Sequence, residues 1–122
     1  MCGIVGSFAF HDEPGDALVR ELQPLVARMV RRGPDDEGTW TDGRRCALGF
    51  RRLSILDLSP QGHQPMATAS GRHVVIFNGE IYNFLSLRDG LESEGIEFHT
   101  GTDTEVLLRG LILHGPAFVQ RL

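Results

Sequence analysis

Lysine is absent from this 122-residue chain: all 12 of its basic residues are arginine. Lysine Schiff bases, a Walker-A lysine and a lysine general base are therefore excluded within it. Cysteine is scarce, limited to Cys2 and Cys46. Two residues cannot build a disulfide scaffold, and both are expected as reduced thiols of a cytoplasmic protein. His11, His63, His73, His99 and His114 stand singly, with no paired Cys or His at ligand spacing, so no metal site is expected. No stretch approaches the ~20 apolar residues that a membrane helix needs. The apolar N-terminus lacks a basic leader and is followed by Asp12 and Glu13, which argues against a signal peptide. A net charge of -4 argues against nucleic acid as the partner, because a duplex-binding domain carries a basic face.

What the chain does have is a 41% hydrophobic content with 15 glycines, enough for one globular core. Residues 2–10 read as a buried strand. From Asp16, the apolar positions Leu18, Leu22, Leu25, Val26, Met29 and Val30 follow a helical period. Pro24 predicts a kink there, or a helix that begins only near residue 22. Gly33 and Pro34 read as a left-handed cap and a breaker. Residues 38–41 and 46–53 form a hairpin around 42–45, and 58–65 is a loop by composition. Short strands are expected at 73–77 and 96–99. Helices are expected from about Phe84 to Glu94 and from Val106 to His114, with Thr102 and Glu105 as a capping box ahead of the second. The mixed order gives an α+β domain with antiparallel hairpins.

Cys2 is the first residue with unusual chemistry. A small buried hydrophobe is its bland explanation. Removal of the initiator Met1, however, would leave a thiol and a free α-amine on one residue. An α-amine with a reference pKa of ~7.7–8 can accept the thiol proton near neutrality, so no histidine is needed. An attacking thiolate needs an oxyanion hole, and Asn78-Gly79-Glu80 after the apolar 73–77 run offers neutral donors, although Asn-Gly also serves as an ordinary turn. Arg51 and Arg52 end a strand, so alternation lets at most one of them face a pocket and grip a carboxylate. Asp103 either caps a helix or binds an ammonium group.

Met1-Cys2-Gly3-Ile4-Val5-Gly6, Arg32-Gly33-Pro34-Asp35, Arg52-Leu53-Ser54-Ile55, Asn78-Gly79-Glu80-Ile81-Tyr82-Asn83 and Thr100-Gly101-Thr102-Asp103 occur in that order. The set resembles the N-terminal glutaminase domain of glutamine-hydrolysing asparagine synthetases, class II amidotransferases of the N-terminal-nucleophile hydrolase superfamily. The resemblance implies a four-layer αββα sandwich, truncated here on its C-terminal side, with residues 1–122 forming most of the glutaminase domain. It implies Cys2 as nucleophile and Asn78 and Gly79 as oxyanion hole. Arg52 would hold the α-carboxylate of L-glutamine, Glu80 and Asp103 its α-ammonium, and Leu53, Ser54, Ile55 and Leu56 would line the pocket. Arg32 to Asp35 would be a helix-ending loop near the pocket without a chemical step.

The implied reaction releases ammonia and glutamate from glutamine with no metal or cofactor. ATP and magnesium would serve only a C-terminal synthetase domain that is absent from this chain. Two rivals accompany this reading. One is an amidotransferase with another ammonia acceptor. The other is an inactive glutamine-binding or interaction module, whose exposed sheet edges would favour a homodimer.

Overall fold

The computed structural model describes residues 2–55 and 59–122. Helices and strands are mixed, as expected for an α+β chain, and the described residues gather into two compact units. The first contains residues 2–54 with His63–Pro65 and Ile76–Asn78. The second contains Ile55, residues 59–62, Met66–Val75 and Gly79–Leu122.

The first unit is a three-stranded antiparallel sheet of β1 (Gly3–Phe8), β2 (Asp36–Thr41) and β3 (Cys46–Arg52), in the order β1-β3-β2. Gly3 pairs with Arg51, and Asp36 pairs with Arg52. The hairpin between β2 and β3 closes on Asp42, whose Oδ1 accepts N–H bonds from Arg44, Arg45 and Cys46 at 2.8–2.9 Å. Bonds to the charged form favour it, so the carboxyl is lowered to about 2.

Helix α1 (Gly15–Arg28) covers one face of this sheet with Leu18, Leu22 and Val26, all buried. It begins at Gly15 rather than near residue 22, and it runs on through Pro24. Burying three aliphatic side chains at roughly 1.5–3 kcal/mol each outweighs the ~3 kcal/mol that an interior proline costs. The expected left-handed cap at Gly33 is not there. The helix ends at Met29, and Gly33 is absent from the positive-φ glycines, which are Gly43, Gly71, Gly95 and Gly115. Gly33 is needed for a different reason. A methyl group on it would lie 2.5 Å from both the Arg51 carbonyl oxygen and the Arg52 nitrogen, so only hydrogen fits between these backbones.

The second unit packs α2 (Phe84–Ser93) on α3 (Asp103–His114), with a 3-10 turn at Gly115–Arg121. Leu87, Leu91, Val106 and Phe118 are buried. The strand expected at 73–77 shortens to β5 (Val74–Val75), paired with β4 (Met66–Ala67), and 96–99 is not a strand. No helix among the described residues is long and apolar enough to cross a membrane.

Candidate active site

Cys2 enters β1 one residue before its first pair, half-buried. Its Sγ accepts the Leu53 N–H at 3.3 Å, and the thiol reaches the Leu53 carbonyl at 3.6 Å. The structure thus brings the candidate nucleophile onto the backbone of the Arg52-Leu53-Ser54 segment. Arg32-Gly33-Pro34-Asp35 frames this junction. Arg32 Nε donates to the Cys2 carbonyl at 3.2 Å, and the Asp35 N–H donates to the Arg52 carbonyl at 3.0 Å. Asp35 Oδ2 in turn accepts the Ser54 N–H at 2.8 Å. Gly33 lies against the peptide between Arg51 and Arg52.

The two arginines part as alternation requires. Arg51 turns to the α1 face, where Nε donates to the Val26 carbonyl at 3.3 Å and Nη2 pairs with Glu37 at 2.7 Å. Ala47, on the same alternation, packs with Leu18 and Leu22 of that helix. Arg52 belongs to the opposite set with Phe50 and is buried. Leu53 and Ser54 are half-buried and Ile55 is exposed. The expected pocket residue Leu56 lies outside the described residues.

Asn78 belongs to the first unit with Cys2 and Arg52, and is half-buried. The preceding residue, Phe77, is held by a side chain that no motif singled out. Gln64, 5% exposed, accepts the Phe77 N–H on Oε1 at 2.6 Å and donates from Nε2 to the Phe77 carbonyl at 3.4 Å.

Gly79, Glu80 and Asp103 belong to the second unit, where Gly79 and Glu80 are exposed and Asp103 is buried. Asp103 opens α3, and its Oδ2 accepts the Ile81 N–H at 3.0 Å, tying it to the segment that carries Gly79 and Glu80. The cap of α3 is Thr102, whose hydroxyl accepts the Glu105 N–H at 3.2 Å. The capping box is only half made. Glu105 accepts N–H bonds from His99 and Thr100 instead, at 3.0 and 2.7 Å, and pairs with Arg109 at 3.2 Å. Burial would raise the Glu105 carboxyl, but the bonds from Thr100, His99 and Arg109 hold it below its ordinary value. Among the described residues, no three His, Cys, Asp or Glu side chains are grouped as a metal site.

The whole chain, residues 1–122, matches the family described as glutamine amidotransferase domain. The chain belongs to that family. An asparagine synthetase [glutamine-hydrolyzing] 1 of Bacillus subtilis (strain 168) is 46% identical over 88% of this chain and 17% of its own length. A putative asparagine synthetase [glutamine-hydrolyzing] of Mycobacterium bovis is 39% identical over 100% of the chain and 21% of its own length. The asparagine synthetase [glutamine-hydrolyzing] of Brassica oleracea is 38% identical over 100% of the chain and 20% of its own length. The chain therefore spans about a fifth of the length of these curated relatives. In this amidotransferase domain, the first unit contains Cys2, Arg52 and Asn78, and the second contains Gly79, Glu80 and Asp103.

Proposed function

We propose that the chain is the ammonia-releasing half of a glutamine-hydrolysing asparagine synthetase, with Cys2 as nucleophile once Met1 has been removed. The free α-amine takes the thiol proton, and Sγ attacks the side-chain carboxamide carbon of glutamine. The Asn78 amide and the Gly79 N–H stabilise the resulting oxyanion. Collapse of the tetrahedral species breaks the C–N bond, and the protonated α-amine returns its proton to the departing nitrogen, giving ammonia. The same amine then draws a proton from water, which attacks the γ-glutamyl thioester and yields glutamate and the free thiol. Arg52 grips the α-carboxylate, and Glu80 and Asp103 attract the α-ammonium. Leu53 to Leu56 would line the pocket. These steps call for no metal or cofactor. ATP and magnesium would belong to a synthetase domain that receives the ammonia and amidates aspartate.

The observation that supports this reading most directly is the seating of Cys2 Sγ on the Leu53 backbone beside Arg52. It joins a candidate thiol nucleophile to a carboxylate-binding candidate on one strand end. The relatives named as glutamine-hydrolysing synthetases support the acceptor half. A three-stranded antiparallel sheet with a helix on one face fits part of an αββα sandwich. The two free thiols fit a reducing, cytoplasmic setting. The test is release of glutamate and ammonia from glutamine by the wild-type chain, set against Cys2→Ala. Equal turnover by both would end the proposal.

A further inference from the structure

Asn78 follows a residue that no strand partner among the described residues holds. Strand β5 ends at Val75, so Phe77 lies beyond its ladder. Its N–H and carbonyl both meet the Gln64 side chain, at 2.6 and 3.4 Å, in the paired manner of a strand neighbour. Gln64 is buried, which makes these bonds the local alternative to two unsatisfied backbone groups. Gln64 is itself held over β2. Its carbonyl presses on Gly38, where a methyl group would also lie 2.8 Å from the His63 ring. His63 Nδ1 and Asp36 Oδ2 meet at 2.6 Å, and Asp36 pairs with Arg52 across the sheet. All of these residues belong to the first unit, as do Cys2 and Asn78. One contiguous frame therefore runs from the Cys2 thiol through β3 and β2 to Gln64, then Phe77, then Asn78.

We propose that Gln64 is a positioning residue for the oxyanion donor: by holding the N–H and the carbonyl of Phe77 together it fixes where Asn78 presents its amide. This rests on the glutaminase reading above, and it adds a residue to which no role in that reaction was assigned. An oxyanion donor is effective only when held where charge develops, so even a displacement well below ~1 Å is costly although Gln64 acts only through Asn78. Glycine at position 38 belongs to the same device, because any side chain there would push the Gln64 backbone off β2.

The test uses the full 122-residue chain with kcat and KM for glutamine read from ammonia release. Gln64→Ala lowers kcat roughly tenfold with KM nearly unchanged, and Gln64→Glu, which keeps an acceptor for the Phe77 N–H but sets a second acceptor against the Phe77 carbonyl, loses a smaller part of kcat. Placed in an Asn78→Ala background, Gln64→Ala costs far less than in wild type, because its effect passes through Asn78. A full tenfold loss persisting in that background overturns the proposal, as does a rise in KM with kcat intact. Gln64→Met, which keeps the length and removes both polar atoms, serves in place of Gln64→Ala should the latter not fold. Amide hydrogen exchange at Phe77 gives a reading independent of turnover. The amide is protected in wild type and Gln64→Glu and exposed in Gln64→Ala; an unprotected Phe77 in wild type also overturns the clamp. If wild type releases no ammonia while Phe77 shows that pattern, the glutaminase reading fails and the clamp stands.

Discussion

Replacing Gly33 by alanine tests whether the Arg32–Asp35 segment fixes the Cys2 junction. The new methyl carbon would sit 2.5 Å from the Arg51 carbonyl oxygen and the Arg52 nitrogen, both backbone atoms that cannot rotate away. Ordinary contact begins near ~3.5 Å, so one backbone must retreat by roughly 1 Å. The bonds at stake are short. Asp35 N–H to the Arg52 carbonyl is 3.0 Å, and Ser54 N–H to Asp35 Oδ2 is 2.8 Å. A retreat of that size takes both beyond hydrogen-bond range. Losing two such bonds at ~0.5–1.5 kcal/mol each, with ~1–3 kcal/mol for overpacking, gives a destabilisation of roughly 2–6 kcal/mol. Activity falls too, because Leu53 contacts Cys2 and moves with Arg52; a misplacement of this order costs about a hundredfold in kcat.

Gly6→Ala is the control in the same sheet. Its methyl group would meet only Leu48 Cδ2 at 3.4 Å and the Ala47 carbonyl at 3.7 Å, distances that need no backbone movement. The assay is urea unfolding followed by far-UV circular dichroism, with glutamine turnover measured on the same preparations. Gly33→Ala should shift the midpoint far more than Gly6→Ala. Equal midpoints and equal turnover for the two variants would refute the argument that Gly33 exists to let these backbones touch.

The remaining predictions concern charge and the N-terminus. Arg52→Ala should raise KM for glutamine by roughly ten- to a hundredfold, from the loss of a charge-assisted bond of ~1.5–3 kcal/mol. Arg51→Ala should leave KM unchanged and lower stability instead, since its guanidinium already meets Glu37 and the Val26 carbonyl; the reverse pattern would break the register assigned here. Active protein should begin at Cys2 by intact-mass spectrometry, and an uncleaved N-terminal tag should abolish turnover, because an amide nitrogen cannot act as the base. Glu105 is held below its ordinary carboxyl value, so its contribution is complete above that value and is lost as pH falls through the lowered one. Glu105→Gln should therefore be less stable near neutrality and lose less on acidification, read from urea midpoints across that range; parallel pH curves would contradict it.

The strands and helices of the first unit were largely legible because their signals are local. Alternation in 46–52 sorted Arg51 from Arg52, and the period of Leu18, Leu22 and Val26 outlasted Pro24. Of the two readings that Pro24 left open, a start near residue 22 failed because proline's intrinsic cost was weighed without the packing that opposes it. Gly33 was misjudged differently. Gly-Pro after a helix signals a left-handed cap, and nothing local in the sequence says that the backbone of residues 51 and 52, far along the chain, will press against it. The motifs could name Cys2, Arg52, Asn78 and Asp103 as candidates. Gln64 was invisible because the Phe77 groups it holds are backbone atoms, which carry no residue signature, and Glu105, legible as a capping-box residue, took His99, Thr100 and Arg109 as partners instead.

The same cause explains why one expected strand shortened and another did not form. His73 to Phe77 and 96–99 were read as strands from their apolar content, and a strand needs acceptors for its N–H groups. In both places a buried side chain supplies the acceptor instead: Gln64 for Phe77, and Glu105 for His99 and Thr100. Asp103, also buried, does so for Ile81, and the exposed Asp35 accepts from Ser54 in the same way. An unpaired buried N–H costs ~1–3 kcal/mol, so each of these bonds replaces what a ladder would have satisfied. A ladder would also have aligned these segments with a neighbouring strand. Side-chain acceptors free the backbone from that direction at Ser54, Phe77, Ile81 and His99–Thr100, the points flanking Arg52, Asn78, Glu80 and Asp103. Each departure from sheet therefore has a named side-chain acceptor behind it.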